Sequence, residues 1–527
     1  MYPVSNEYKD AIYAPIRTAK GRVTFDISDV TAVGDVNNIS TPEEFVLSNK
    51  QQLINKNREQ TYNLVTWEPN RFKLDGSFTF PDDTIENNKE MGFVSNVLCG
   101  ADGIFGPYQT ITFTFNGPHS SMGLTITFDP RNNEYATNFS VTAYDSNDNI
   151  IDTVEVENNT EVQAVPIGQL YQYKKIKIVI KKWCKPYRRA RIVEVDFGVV
   201  RVYQDNSLIK MSLIEEMDLT SSTLPTPEFK FTVDNSSREF NILNPSGIYK
   251  YLQERQQVIG EIGIDIDGTV EYIPLGNYLL AGWASDEGSL TATFTARPNL
   301  DLLSGFDYEN LTPKAGYSLY DMAVDIFALC GISNYEIDPA LQNIPTKGLI
   351  KKTTCRNVLQ MIALAGCANI FVTRDNVIKL VVNPASLGDQ VDDVDLDNMY
   401  KEPKIELEPI VQSVQVTYYS DLDTKDVVTV TNSDVDSGEV LKLESNTLIN
   451  TATQATNVAN WLLRQRSYRA KYSINWRGNP AHELNDVITI ETTYGTAKKA
   501  IITKNSIEYQ GYLSAKTEAR GLTDVMD

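Results

Sequence analysis

Two histidines, His119 and His482, are all the imidazole chemistry that 527 residues can offer. Neither lies in HExxH, in a Cys/His pair or in another spacing that would place several ligands on one metal. His482 falls in the run HELND, with Glu483 beside it and no second ligand, and reads as a solvated turn residue. No GxSxG elbow, no GxxxxGK[ST] phosphate loop and no strand-following GxGxxG is present. Paired carboxylates could serve catalysis in any acidic chain, but nothing singles out one pair. Two runs imitate calcium loops. YDSNDN (144–149) alternates Asp145, Asn147 and Asn149, yet Ile150 stands where the turn glycine belongs and Val156 where the bidentate glutamate belongs. DVDLDN (393–398) lacks the glycine and has Lys404 at the twelfth position. The expectation is no enzyme and no cofactor; structural calcium is left open only by the oxygen content of the loops.

One stretch stands apart chemically. KKIKIVIKKWCKPYRRAR (174–191) holds nine basic residues and no acid, in a chain of net charge −21, which leaves −30 outside it. In KKIKIVIKK, Lys175, Lys177, Val179 and Lys181 share one face of a strand and Ile176, Ile178 and Ile180 the other. The lysines read as a solvated face that discourages edge-to-edge pairing. WCKPYRRAR reads as a loop that interleaves Trp183 and Tyr187 with Arg188, Arg189 and Arg191, groups that suit sugar rings and anions. These five are the candidate carbohydrate or partner contacts.

The length suggests about three to four domains, and 42% hydrophobic and 10% aromatic residues are ample for packed cores. The start, MYPVSNEYKDAIYAPIR, lacks the basic and apolar regions of a secretory signal, and no apolar run spans a membrane. Five widely spaced cysteines suit reduced thiols made in a cytosol. A strongly acidic chain is a poor grasper of nucleic acid.

GRVTFDISDV reads as a short β segment, followed by the polar, helical-looking TPEEFVLSNKQQLINKN (41–57). From Tyr62 to Val200 the text alternates with period two, as in ITFTF (111–115) and LTITF (124–128), and turn residues separate the strands, pointing to an antiparallel sandwich or jelly roll. A second β-rich block runs from Ser207 to Phe306, with Asp267-Gly268 as a hairpin turn. SLYDMAVDIFALCG and TTCRNVLQMIALAG then carry helical spacing, with Ser318 and Thr354 as N-caps and Gly331 and Gly366 as stops. A hairpin follows, ANIFV-TRDN-VIKLVV. GDQVDDVDLDN (388–398) reads as an acidic linker before strands SVQVTYY and DVVTVT, a helix around 451–468 and a closing meander. The fold class is mainly β with a smaller α+β part.

Two resemblances follow. RFKLDGSFTFP (71–81), LCGADGIF, ITFTFNGPHSSMGLTITFD, FSVTAYDSNDNII and ARIVEVDFG resemble a galactose-binding-like, discoidin-type domain. That implies an eight-stranded jelly roll whose loops at one end meet ligands, often glycans. LIEEMDLTSSTLPTPEFKFTVDN with FNILNPSGIYKYLQERQQVIGEIGIDIDGTVEYIPLGNYLLAGW, the helix and hairpin unit, and NWRGNPAHELNDVITIE with EYQGYLSAKTEARG resemble the hub at the tip of bacteriophage tails, notably of phages of Gram-positive bacteria. The implied organisation is hub strands and linker at 1–60, an inserted sandwich at 61–203, a barrel-like hub domain at 204–310, a helix/hairpin domain at 311–390 and a second barrel-like domain with a β meander at 391–527. The resemblance implies a homotrimer in the virion tail tip or baseplate, made in the bacterial cytoplasm. Its implied partners are the tail tube or distal tail protein, the tape-measure protein and other tip or receptor-binding proteins. DNA would pass through without specific binding. Some relatives end in a peptidase or lysozyme domain, whereas this chain stops at the barrel, so wall-degrading activity is expected elsewhere. The alternatives are an adhesin for host-wall glycan and a tail endopeptidase or glycosidase.

Overall fold

The computed structural model describes residues 1–42, 50–58, 63–79, 92–245, 247–286, 288–382, 387–494 and 498–522. The expected helix at 41–57 lies partly outside these residues; its described end forms a 3-10 turn at Lys50–Leu53. The last two residues of RFKLDGSFTFP also lie outside them. The chain divides into two compact units, residues 25–202 with 238–256, and residues 1–24, 203–237 and 257–527. It opens with helix α1 (Asn6–Tyr13), capped by the Ser5 hydroxyl accepting from the Tyr8 amide, and strand β1 (Ala19–Ser28). The sequence reading missed α1, a helix of only eight residues with a mostly polar sequence.

The unit of residues 25–202 is a sandwich. Its larger sheet runs β2 (Val36–Ser40), β4 (Ile104–Ser121), β9 (Leu170–Trp183), β6 (Ala136–Tyr144), β7 (Ile150–Val156), all antiparallel. Facing strands are β3 (Phe93–Leu98), β5 (Leu124–Thr127), β8 (Gln163–Ile167), β10 (Arg189–Ile192) and β11 (Glu194–Asp196), paired as β8-β5-β11 and β10-β3. The period-two reading holds: Ile111, Phe113 and Phe115 of β4 and Ile176, Ile178 and Ile180 of β9 are buried in one core. Phe197 fills it edge-on against Phe113 and Phe115 at 5.6 and 4.9 Å. One expectation needs correcting. β9 is not an edge strand but lies between β4 and β6, so its lysines guard no open edge. They answer acids nearby instead, Lys175 with Asp148 and Lys181 with Glu155, each at 2.5 Å.

The other unit is built on one long sheet. From β1 it runs through β14 (Gln257–Ile266), β15 (Thr269–Ala284), β16 (Thr291–Arg297), β13 (Glu228–Asp234), β12 (Leu208–Glu216), β29 (Lys498–Tyr509), β30 (Leu513–Gly521), β27 (Ala470–Trp476) and β23 (Lys404–Leu407), and a strand at Gly198–Gln204 pairs with the other side of β1. Asp267 (φ 51°) and Gly268 (φ 89°) make the expected two-residue turn between β14 and β15, both in the left-handed region that this turn requires. Phe229, Phe231, Phe294 and Tyr278 stack on the buried face, with centroids at 5.1 Å for Phe229–Tyr278 and 4.9 Å for Phe231–Phe294. The pairing of β12 with β29, Met211 opposite Tyr509 through Glu216 opposite Lys504, joins the strands of 208–297 to those of 470–521.

The remaining elements of this unit form an α+β part. Helices α2 (Leu319–Leu329) and α3 (Cys355–Ala365) are capped by Ser318 and Thr354 as expected. Gly331 takes φ 67°, whereas at the second stop Gly366 keeps φ −92° and Cys367 takes the left-handed turn. β20 (Ala368–Val372) and β21 (Ile378–Val382) form the hairpin, with β18 (Tyr335–Ile337) added in parallel. β17 (Asp307–Asn310) pairs with β19 (Ile350–Thr354). β25 (Lys425–Thr431), β24 (Val411–Tyr419) and β26 (Glu439–Leu443) make a three-stranded sheet covered by α4 (Ala452–Arg466). All of it shares one core, including Ile326 of α2, Ile362 of α3, Val414 of β24 and Trp461 of α4.

Two more expectations change here. The acidic linker is a strand, β22 (Asp392–Val394), running parallel to β28 (Val487–Ile490). His482 is not solvated: it is fully buried, tilted on Trp476, and its Nε2 lies 2.7 Å from Asp392. The same Asp392 oxygen accepts from the Tyr13 hydroxyl and the Asn479 amide. Burial pushes the Asp392 carboxyl up, but the facing His482, and after it the Tyr13 hydroxyl, hold it below the usual range.

Candidate contact site on the sandwich

The five candidate residues lie at the end of β9, in the turn that follows and on β10, and the structure divides them. Trp183 is 1% exposed and packs edge-on against Phe128 at 5.9 Å. Its indole N–H donates to Glu134 at 3.2 Å. Arg191 is 4% exposed and grips Glu68 with both terminal nitrogens. Neither presents a surface to a ligand, so both leave the contact set. A buried tryptophan must satisfy its N–H and a buried guanidinium must find a carboxylate, and the sandwich interior supplies both.

Beneath the turn lies a charged network. Glu134 receives Arg71 Nη1, Lys185 Nζ and Arg188 Nε, each at 3.2 Å, besides Trp183. Arg71 also reaches Asp129 at 2.6 Å. Glu68 accepts from Thr66 Oγ1 at 2.8 Å and from the Arg189 amide at 2.9 Å. Burial pushes the Glu68 carboxyl up, but the Arg191 hydrogen bonds and charge outweigh it and hold it at about 2. Five of the nine basic residues of the block, Lys175, Lys181, Lys185, Arg188 and Arg191, are therefore answered by acids of the same unit.

Three of the five stay near the surface. Tyr187 is 47% exposed with φ 54°, a left-handed conformation uncommon for an aromatic residue. Arg188 and Arg189 are half-buried; Arg188 Nη1 donates to the Pro69 carbonyl at 2.7 Å, and Arg189 Nη1 to the Ser95 carbonyl at 2.7 Å. The Arg188–Pro69 bond ties the Tyr187 turn to the segment carrying Trp67, which is 91% exposed between the buried Thr66 and Glu68. Trp67 was missed because a lone tryptophan usually reads as core; its one signal is the adjoining Pro69-Asn70 turn. The site therefore offers two exposed aromatic rings, Trp67 and Tyr187, on segments locked from below by ion pairs. Such a surface can stack on planar or ring-shaped groups and donate from Arg188 and Lys185. Among the described residues no cluster of His, Cys, Asp and Glu could hold a metal ion, and no helix is long and apolar enough to cross a membrane.

No family model matches the sequence, and no curated protein matches it. Among solved structures, the tail protein from Neisseria meningitidis MC58 aligns at 12% identity with a TM-score of 0.40, over 60% of this chain and 93% of that one. The 43 kDa tail protein of prophage MuSo2 from Shewanella oneidensis aligns at 13% identity and a TM-score of 0.39, over 60% of this chain and 94% of that one. The prophage tail protein gp18 from Listeria monocytogenes EGD-e aligns at 9% identity and a TM-score of 0.36, over 62% and 93%.

Proposed function

We propose that this chain is a structural hub protein of a phage-type tail, working as a homotrimer at the tail tip or baseplate and acting without catalysis. The observation that carries the reading is how the frame is assembled from distant segments. One sheet takes β1 from the N-terminal segment, β12 to β16 from the middle and β27, β29 and β30 from near the C-terminus. The residues before β1 are stitched to the same frame, Tyr2 N–H to the Ala481 carbonyl, Tyr13 to Asp392 and Arg17 to the Gly478 carbonyl. That is the organisation expected of a hub interrupted by an inserted sandwich, as the sequence resemblance implies. The acidic charge suits the wall of a channel that DNA and a tape-measure protein traverse without sticking. Negative-stain electron microscopy of the purified full chain tests it: a three-fold ring with a central hole is expected. Persistent monomers, even with the tail-tube partner added, would overturn it.

The exposed rings of Trp67 and Tyr187, on segments joined by the Arg188–Pro69 hydrogen bond, favour one accessory role, attachment of the sandwich to host-wall glycan. Pull-down of the full chain on purified wall polysaccharide should succeed for the wild type and fail for Trp67→Ala with Tyr187→Ala. Binding that survives both changes would rule out this surface as the contact. Incubation of host walls with the protein should leave their turbidity unchanged; clearing would mean a wall-degrading enzyme.

A further inference from the structure

Apart from the sandwich, a cleft of about 770 Å³ opens in the α+β part. Its walls are β19, helix α3, and the end of β26 with the residues after it. On one side Ile350 to Thr353 of β19 line it consecutively, and on the other Lys442 and Leu443 of β26 with the four residues that follow. Successive side chains of a strand point to opposite faces, so an uninterrupted run of lining residues means that the strand's edge, not a face, borders the space. Both edges are unpaired among the described residues. β19 pairs only with β17 on its other side, and β26 only with β24. The walls are tied together at one end, where Thr447 Oγ1 donates to the Leu349 carbonyl at 2.5 Å and Asn446 Nδ2 to the Met361 carbonyl at 2.8 Å. Met361 and Leu364 of α3 also line the cleft, and Leu443 adds apolar surface from the β26 side.

The charge of the cleft runs against that of the chain. Lys351, Lys352 and Lys442 line it against one acid, Glu444, whereas the protein carries −21. Lys442 is exposed with no ion pair among the described residues. Lys351 and Lys352 hold only exposed partners, Asp423 at 3.8 Å and Asp307 at 3.1 Å, pairs that contribute little and exchange readily. Lysines on an open edge usually keep stray strands away. Here they rim a concave slot with an apolar part, an arrangement that selects a strand by charge.

We infer that this cleft is a docking slot for an extended acidic segment of a partner polypeptide, which adds as a strand to an open edge of β19 or β26 while its carboxylates meet Lys351, Lys352 and Lys442. Main-chain hydrogen bonds would supply affinity, and the lysines with Met361, Leu364 and Leu443 would supply specificity. The inference does not depend on the tail reading, since it rests on strand edges and charge alone.

Fluorescence anisotropy on the full chain tests it, with a labelled, end-capped peptide of about eight residues alternating valine and glutamate. Saturable binding with a Kd in the range of tens of micromolar is expected. The lysine counterpart should not bind. Methylating alternate peptide nitrogens should weaken binding roughly tenfold by removing donors to the edge. Lys352→Glu with Lys442→Glu should weaken it about tenfold with unchanged thermal unfolding, because both side chains are exposed. No saturation by about 1 mM, equal binding of the lysine peptide, indifference to N-methylation, or indifference to the double charge reversal would each overturn the inference.

Discussion

At the scale of single residues, the buried charges are the sharpest features. Glu194 is buried in the sandwich beside Asp196, and no side chain among the described residues donates a hydrogen bond to its carboxylate. Burial, with Asp196 adding to it, pushes the Glu194 carboxyl up to about 9. The folded chain therefore keeps a proton that the unfolded chain releases between about pH 4.5 and 9, so stability falls as pH rises through that window. Glu194→Gln removes the titration. Urea unfolding should show little difference from wild type near pH 4 and a gain on the order of 3 kcal/mol by pH 7; a gain equal at both pH values would refute the account. Arg374 is the opposite case, a buried charge with every donor engaged. It sits in the β20–β21 turn and reaches Glu215 of β12 with two nitrogens at 2.7 and 2.8 Å, and the carbonyls of Pro480, His482 and Leu275. Arg374→Ala strands Glu215 and should cost about 3–5 kcal/mol in chemical denaturation. Adding Glu215→Leu should recover part of that loss, and no recovery would mean that the carbonyl contacts, not the ion pair, dominate.

At the scale of elements, the packing of the long sheet sets narrow limits. A Cβ built on Gly260 of β14 would lie 2.4 Å from Cζ of Phe229, whose ring stacks on Tyr278. Gly260→Ala must push that ring out of the stack and should cost roughly 1–3 kcal/mol by thermal unfolding. Gly288, which has open space around it, is the matched control, and Gly288→Ala should be close to neutral. Equal effects at both would mean that loss of glycine flexibility, not crowding at Phe229, decides the outcome.

At the scale of the whole molecule, the net charge of −21 bears on assembly. Copies of so acidic a chain repel one another, and salt screens that repulsion over a Debye length of about 10 Å at 0.1 M. If apolar contacts hold the proposed trimer, its share in sedimentation velocity should rise between low and moderate salt. Dissociation by added salt would point instead to an interface held by ion pairs, with the unbalanced cations of the cleft as the first place to look.

The features legible along the chain were those satisfied by near neighbours. Strict alternation in ITFTF and in the isoleucines of β9 marked buried faces, because a strand repeats every two residues whatever surrounds it. Ser318, Thr354 and Asp267-Gly268 marked helix starts and a hairpin turn, because caps and turns are satisfied within a few residues. The fate of the polar groups depended on packing between distant segments. Trp183 and Arg191 went inside because Glu134 and Glu68 wait 49 and 123 residues away, and His482 because Asp392 lies 90 residues back. The 388–398 run looked like a linker until its partner β28, about a hundred residues on, made it a strand. A buried charge or an unpaired edge is defined by neighbours distant along the chain, and local spacing carries no record of them.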